Sequence, residues 1–164
     1  MLCSNLIVPE AMVTDSRTKS LLSVRAAIEK KATELVLLEM RRVSSYTDHF
    51  LICSGKSDRQ VQAIAQRIAE ALGELGIQPL GLEGMSEGKW VLMDYGDLVI
   101  HVFLEPIRRF YDLEGLWIDA PRIDLQEGAN LGESETETET EAEAETETEA
   151  ETQRKTRQET GETG

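Results

Sequence analysis

KWVLMDYGDLVIHVFLEPIRRFYDLEGLWIDAP, residues 89–121, holds six of the eight aromatic residues in a chain of 164. It reads as one structural unit. Lys89 to Asp94 is a strand, and Tyr95-Gly96-Asp97 carries the turn residues of a tight hairpin. Leu98 to Leu104 is almost wholly apolar, which predicts a strand buried on both faces. Pro106 then opens a short helix, where its missing N–H costs nothing.

Working back from this unit, the pattern continues in alternating elements. Ser20 to Lys31 has Leu21, Val24, Ala27 and Ile28 at helical spacing. Leu35 to Met40 is a strand, Val43 to Thr47 a turn, and His49 to Ser54 a second strand ending at Gly55. Ser57 opens a helix running to about Leu75. Its hydroxyl is placed to accept from the N–H three residues on, with Gln60 reaching back as in a capping box. Val61, Ile64, Ala65, Ile68 and Leu72 share one face, and Gly76 is placed to stop the helix. Gln78 to Leu82 is a short strand near Pro79, hence not a central one. Glu83 to Gly88 is a loop. The order αββαβββα predicts an α/β fold, a mixed sheet of about five strands with helices packed on it.

The charge is uneven. Residues 1–132 carry 19 acids against 14 bases, net −5, whereas residues 133–164 carry 12 against 3, net −9. Glutamate fills every odd position from Glu133 to Glu151, and the tract has no aliphatic side chain larger than alanine. Such a stretch cannot bury enough apolar surface to offset its ordering entropy, so it reads as a disordered acidic tail. The expected organisation is a flexible extension over 1–19, one domain over 20–121, a linker over 122–132 and the tail over 133–164. The first twenty residues, with Glu10 and Asp15 against two bases, do not resemble a targeting peptide. No apolar stretch approaches a membrane span. Cys3 and Cys53 offer no structural disulfide, which fits a reducing, cytoplasmic setting.

Several patterns touch on catalysis. Gly55-Lys56-Ser57 suggests a phosphate loop, but the full motif needs glycine where Phe50 stands, and the capping role of Ser57 is favoured. Asp94 and Asp97 offer paired carboxylates for a magnesium-dependent nucleotidyltransferase-like enzyme. They are three apart across a turn, and turns favour aspartate for conformational reasons, so the structural reading is preferred. His101 lies mid-strand among aliphatic residues and reads as a core histidine held by one or two hydrogen bonds. No cluster has zinc spacing, and no metal or other cofactor is expected. Trp90 and Tyr95 flank a strand beside polar turns, a placement that suits an interface anchor as well as a core residue.

The combination of Trp90, Asp94-Tyr95-Gly96-Asp97, His101, Phe103, Arg109-Phe110-Tyr111-Asp112-Leu113-Glu114, Leu116-Trp117 and Asp119-Ala120-Pro121 resembles the Iojap family, the bacterial ribosomal silencing factors. Upstream, Thr47-Asp48, Cys53-Ser54-Gly55, Ser57 and Gly81-Glu83-Gly84 also match. The likeness covers about residues 20–121. Gly115 departs from it, where a longer and often basic side chain is usual. The resemblance implies a nucleotidyltransferase-like fold without catalysis. It implies a translation repressor that binds the large ribosomal subunit through its L-fourteen family protein and blocks joining of the small subunit. It implies that Trp90 and Tyr95, with Asp94 and Asp97 beside them, contact the ribosome, and that the protein forms homodimers. The mildly acidic domain predicts little direct contact with RNA.

Overall fold

The β4–β5 hairpin forms where the sequence predicts it. Trp90–Asp94 (β4) and Leu98–Leu104 (β5) pair antiparallel, with Trp90 opposite Phe103 and Asp94 opposite Val99. The structure, a computed structural model, describes residues 15–126. The expected extension before Asp15 and the acidic tail lie outside the described residues. The chain divides after Gly128 into two units, and the described residues belong to the first.

In order, the elements are α1 (Ser16–Glu29), β1 (Thr33–Glu39), β2 (His49–Gly55), α2 (Asp58–Gly73), β3 (Gly81–Glu83), β4, β5, α3 (Glu105–Tyr111), α4 (Leu113–Leu116) and β6 (Arg122–Ile123). They form a six-stranded sheet in the order β3-β4-β5-β2-β1-β6. The central β2–β5 pair is parallel, from His49 opposite Leu98 to Gly55 opposite Leu104, and the other pairs are antiparallel. The α/β mixed-sheet expectation holds, with β3 at an edge and one strand more than foreseen. The extra strand is β6, in the stretch expected to be a linker. Two residues give no periodicity to read.

The sheet has two unlike faces. One packs under α1 and α2: Leu37, Leu51, Cys53, Val91, Met93, Leu98, Ile100 and Val102 meet Val24, Val61, Ile64, Ala65, Ile68 and Leu72. Fully burying an aliphatic side chain of this size stabilises the fold by about 1.5–3 kcal/mol. The other face gathers Leu38, Met40, Ile52 and Phe103, with Phe50, Trp90, Ile107, Leu113 and Trp117 packed against them. Its cover comes from short elements following β5 and from Val43 in the β1–β2 connection.

α2 buries the face predicted for it. α1 does not. It starts four residues early, because the Asp15 carboxylate accepts from the Thr18 N–H. Its buried positions are Ser16, Lys19, Ser20, Ser23, Val24, Ala26 and Ala27, while Ile28 is exposed. The Ser20 and Ser23 hydroxyls donate to the carbonyls of Ser16 and Lys19 within the helix. Their polarity is thereby satisfied, so small residues can occupy a buried helix face.

Candidate docking surface on the open sheet face

The hairpin turn positions the aspartates and aromatics singled out in the sequence. Tyr95 N–H donates to the Leu98 carbonyl, and Gly96, at φ +84°, takes the left-handed conformation at the first central turn position. The Asp94 carboxylate accepts from the Gly96 N–H at 2.8 Å. Asp97 instead reaches α1, where its carboxylate meets the Lys19 ammonium at 2.6 Å. Its carbonyl accepts from the N–H groups of Asp48 and His49. Both carboxylates therefore hold the turn, one within the hairpin and one to α1. Among the described residues no group of three His, Cys, Asp or Glu side chains is placed to hold a metal ion.

Trp90 and Tyr95 do not share a surface. Alternation along β4 puts Trp90, Leu92 and Asp94 on the open face and Val91, Met93 and Tyr95 on the helix-covered one. Tyr95 is 7% exposed and belongs to the helix-side core, where burial pushes its hydroxyl up to about 12. This corrects the expectation that both aromatics are presented together. Tyr95 ends the alternating run before the turn bends the chain, so it follows Met93 inward.

Trp90 lies instead in a continuous aromatic series. Phe110, Tyr111, Trp90, Phe103, His101, Phe50 and Trp117 meet in turn, ring centroids 4.8–6.0 Å apart. The Trp90 indole N–H donates to His101 Nδ1 at 3.2 Å. Indole is only a donor, so His101 carries its proton on Nε2. Burial among rings pushes the imidazole pKa down to about 4. His101 is thus a neutral core residue, as the sequence suggests, although its Nε2 has no partner.

The outer margin of the series is open. Phe110 and Ile118 are each 80% exposed, Leu116 70% and Tyr111 52%. Four large apolar side chains on α3, α4 and the turn after them are thus exposed beside half-buried Trp90 and Trp117, the composition of a candidate docking surface. The sequence offers Phe110 and Tyr111 only as a helical stripe. Their exposure depends on where α3 ends.

Arg108 decides that geometry, and nothing in its sequence neighbourhood marks it for burial. Its guanidinium donates to the Glu34 carbonyl at 2.6 Å, to Ser54 Oγ at 2.8 Å, and to both carboxylate oxygens of Glu114. One buried side chain thus ties β1, β2, α3 and α4 together. Asp112, at φ +42°, ends α3, and its carboxylate accepts from the Gly115 N–H to start α4. A Cβ at Gly115 would collide with that carboxylate. The departure at Gly115 therefore fits this break, and the single expected helix is two. At the other strand–helix junction Ser57 accepts from the Gln60 N–H, the capping role. Gln60 reaches back to the N–H of Lys56 rather than to that of Ser57.

A family model described as "Ribosomal silencing factor during starvation" matches residues 13–158. The chain belongs to the RsfS family. The match runs beyond the 20–121 stretch that carries the Iojap likeness. A relative named ribosomal silencing factor RsfS, from Bacillus subtilis, is 48% identical over 114 residues, covering 68% of this chain and 97% of the relative. Protein Iojap, chloroplastic, from Zea mays is 35% identical over 101 residues, 62% of this chain and 44% of that protein. A solved structure from Chromobacterium violaceum, 35% identical, superposes with a TM-score of 0.62 over 63% of this chain and 86% of its own. The RsfS fold is therefore shared as well as the sequence pattern.

Proposed function

We propose that this chain represses translation by binding the large ribosomal subunit through its L-fourteen family protein, so that its bulk blocks the small subunit. Membership of the RsfS family, whose bacterial relatives are named ribosomal silencing factors, carries this reading. The open aromatic face supports it, because steric silencing needs affinity and bulk rather than chemistry. Trp90, Tyr111 and Phe110 are the anchors of the contact, with Asp94 at its rim. Asp97 and Tyr95 contribute by holding the hairpin. The protein works in the cytoplasm, without a cofactor, and as a homodimer. No helix among the described residues is long and apolar enough to cross a membrane.

Sedimentation tests the proposal. The full chain should travel with isolated large subunits and not with small ones, and should shift a mixture away from joined ribosomes. Equal binding to both subunits, or normal joining at saturating protein, would overturn it.

A further inference from the structure

A basic corner lies at the end of the sheet where β2 and β5 finish. Lys30 and Lys31 follow α1, Lys56 follows β2, and Arg59 stands in the first turn of α2. The Gln60 side chain draws these segments together. Its amide nitrogen donates to the carbonyls of Lys30 (3.1 Å) and Lys31 (3.0 Å), and its amide oxygen accepts from the Lys56 N–H (2.8 Å). All four cations are exposed. Among the described residues none of them makes an ion pair.

The nearby acids offset them only in part. Glu29 is neutralised by Arg67 at 2.6 Å. Asp58, which accepts from the backbone N–H of Arg59, and Glu105, within 3.5 Å of the Thr33 hydroxyl, keep their charges, so four cations stand against two carboxylates. Lys31 holds a left-handed conformation, φ 59°, at a helix end where glycine is the usual residue. Lys89 extends the corner towards the aromatic face: its carbonyl accepts from the Leu104 N–H, and Trp90 is the next residue.

We propose that Lys30, Lys31, Lys56 and Arg59 form a second contact that grips the phosphate backbone of ribosomal RNA beside the protein-docking surface. The inference rests on the docking proposed above. It revises the expectation of little RNA contact, which follows from net charge alone. An acidic chain at net −14 gains no general attraction to RNA. A local group of cations without an ion pair among the described residues can still engage phosphates within a Debye length of about 8–10 Å.

The test compares the full chain with K30Q/K31Q/K56Q/R59Q in binding to purified large subunits across a salt series. All four positions are exposed, so the melt should not move. Expected are binding weaker by about a thousandfold at 0.1 M salt, converging on that of the unaltered chain towards 1 M, and a salt slope shallower by about three to four, roughly one for each phosphate no longer neutralised. A photo-reactive phenylalanine placed at Lys56 should crosslink to ribosomal RNA. Unchanged affinity and slope in the variant would overturn the corner while leaving the docking reading intact. Crosslinks only to ribosomal protein, or only within the chain, would do the same. Failure of the unaltered chain to bind large subunits would sink the docking reading and this contact with it.

Discussion

The two faces of the sheet are built from different materials. The helix-covered face is aliphatic, closed by two long helices. The open face is aromatic, and only short elements contribute to its cover. Aliphatic side chains interdigitate to native density, and their value ends with burial. Aromatic rings offer broad, rigid surface that is useful half-exposed. Stability rests chiefly on the first face, and the proposed docking on the second.

The largest effect should come from the buried arginine that ties the sheet to the short helices of the open face. Arg108→Ala removes a buried cation and leaves Glu114 and the Glu34 carbonyl without their donor. We expect a loss of about 3–5 kcal/mol of stability, together with loss of subunit binding as α3 detaches. A chemical-denaturation midpoint close to that of the unaltered chain would refute the staple.

Tyr95→Ala and Trp90→Ala test the division directly. Tyr95→Ala should cost about 3–5 kcal/mol of stability and leave the folded fraction binding normally. Trp90→Ala should stay folded and lose about 2 kcal/mol of large-subunit affinity. Melts run beside binding isotherms separate the two, and the reversed pattern would exchange the roles of the faces.

Much of this was legible in the sequence. The α2 face, the hairpin and the edge position of β3 follow from periodicity, caps and proline. The serine-lined face of α1 was not, since a hydroxyl bonded to its own helix looks polar in sequence and behaves as small in the fold. Nor was Arg108, because a charged residue declares its burial only through partners distant in the chain. Tyr95 illustrates a third limit. Whether a strand's last residue keeps the alternation depends on the turn that follows it.

Acid should weaken the open face. The folded protein holds His101 neutral with a pKa of about 4, whereas the unfolded chain binds a proton near 6.5. Between those values the unfolded state carries more protons. Stability is therefore full above about pH 6.5 and falls as pH drops towards 4, by about 3 kcal/mol in all. Buried His49 is shifted in the same direction. Urea midpoints measured from pH 7 to 4.5 should fall, and His101→Phe should flatten the curve. An equally steep curve in that variant would place the sensitivity elsewhere.

The smallest expected effect is Phe110→Ala. With the ring 80% exposed, the melt should shift by less than about 0.5 kcal/mol. Large-subunit affinity should fall by about 1 kcal/mol or more. Unchanged affinity would confine the contact to Trp90 and its immediate neighbours.

The parallel pairing at the middle of the sheet has a kinetic consequence. β1–β2 and β4–β5 each join strands close in sequence, and each can form soon after its own residues are free. β2 and β5 meet across roughly fifty residues, with His49 opposite Leu98. Closing that span costs chain entropy before any pairing compensates for it. The expected sequence of events is two early hairpins, then one slow closure that brings both faces into being together. Pulsed amide exchange during refolding can observe it: the β5 amides facing β4 should gain protection before those facing β2, and equal timing would contradict the order.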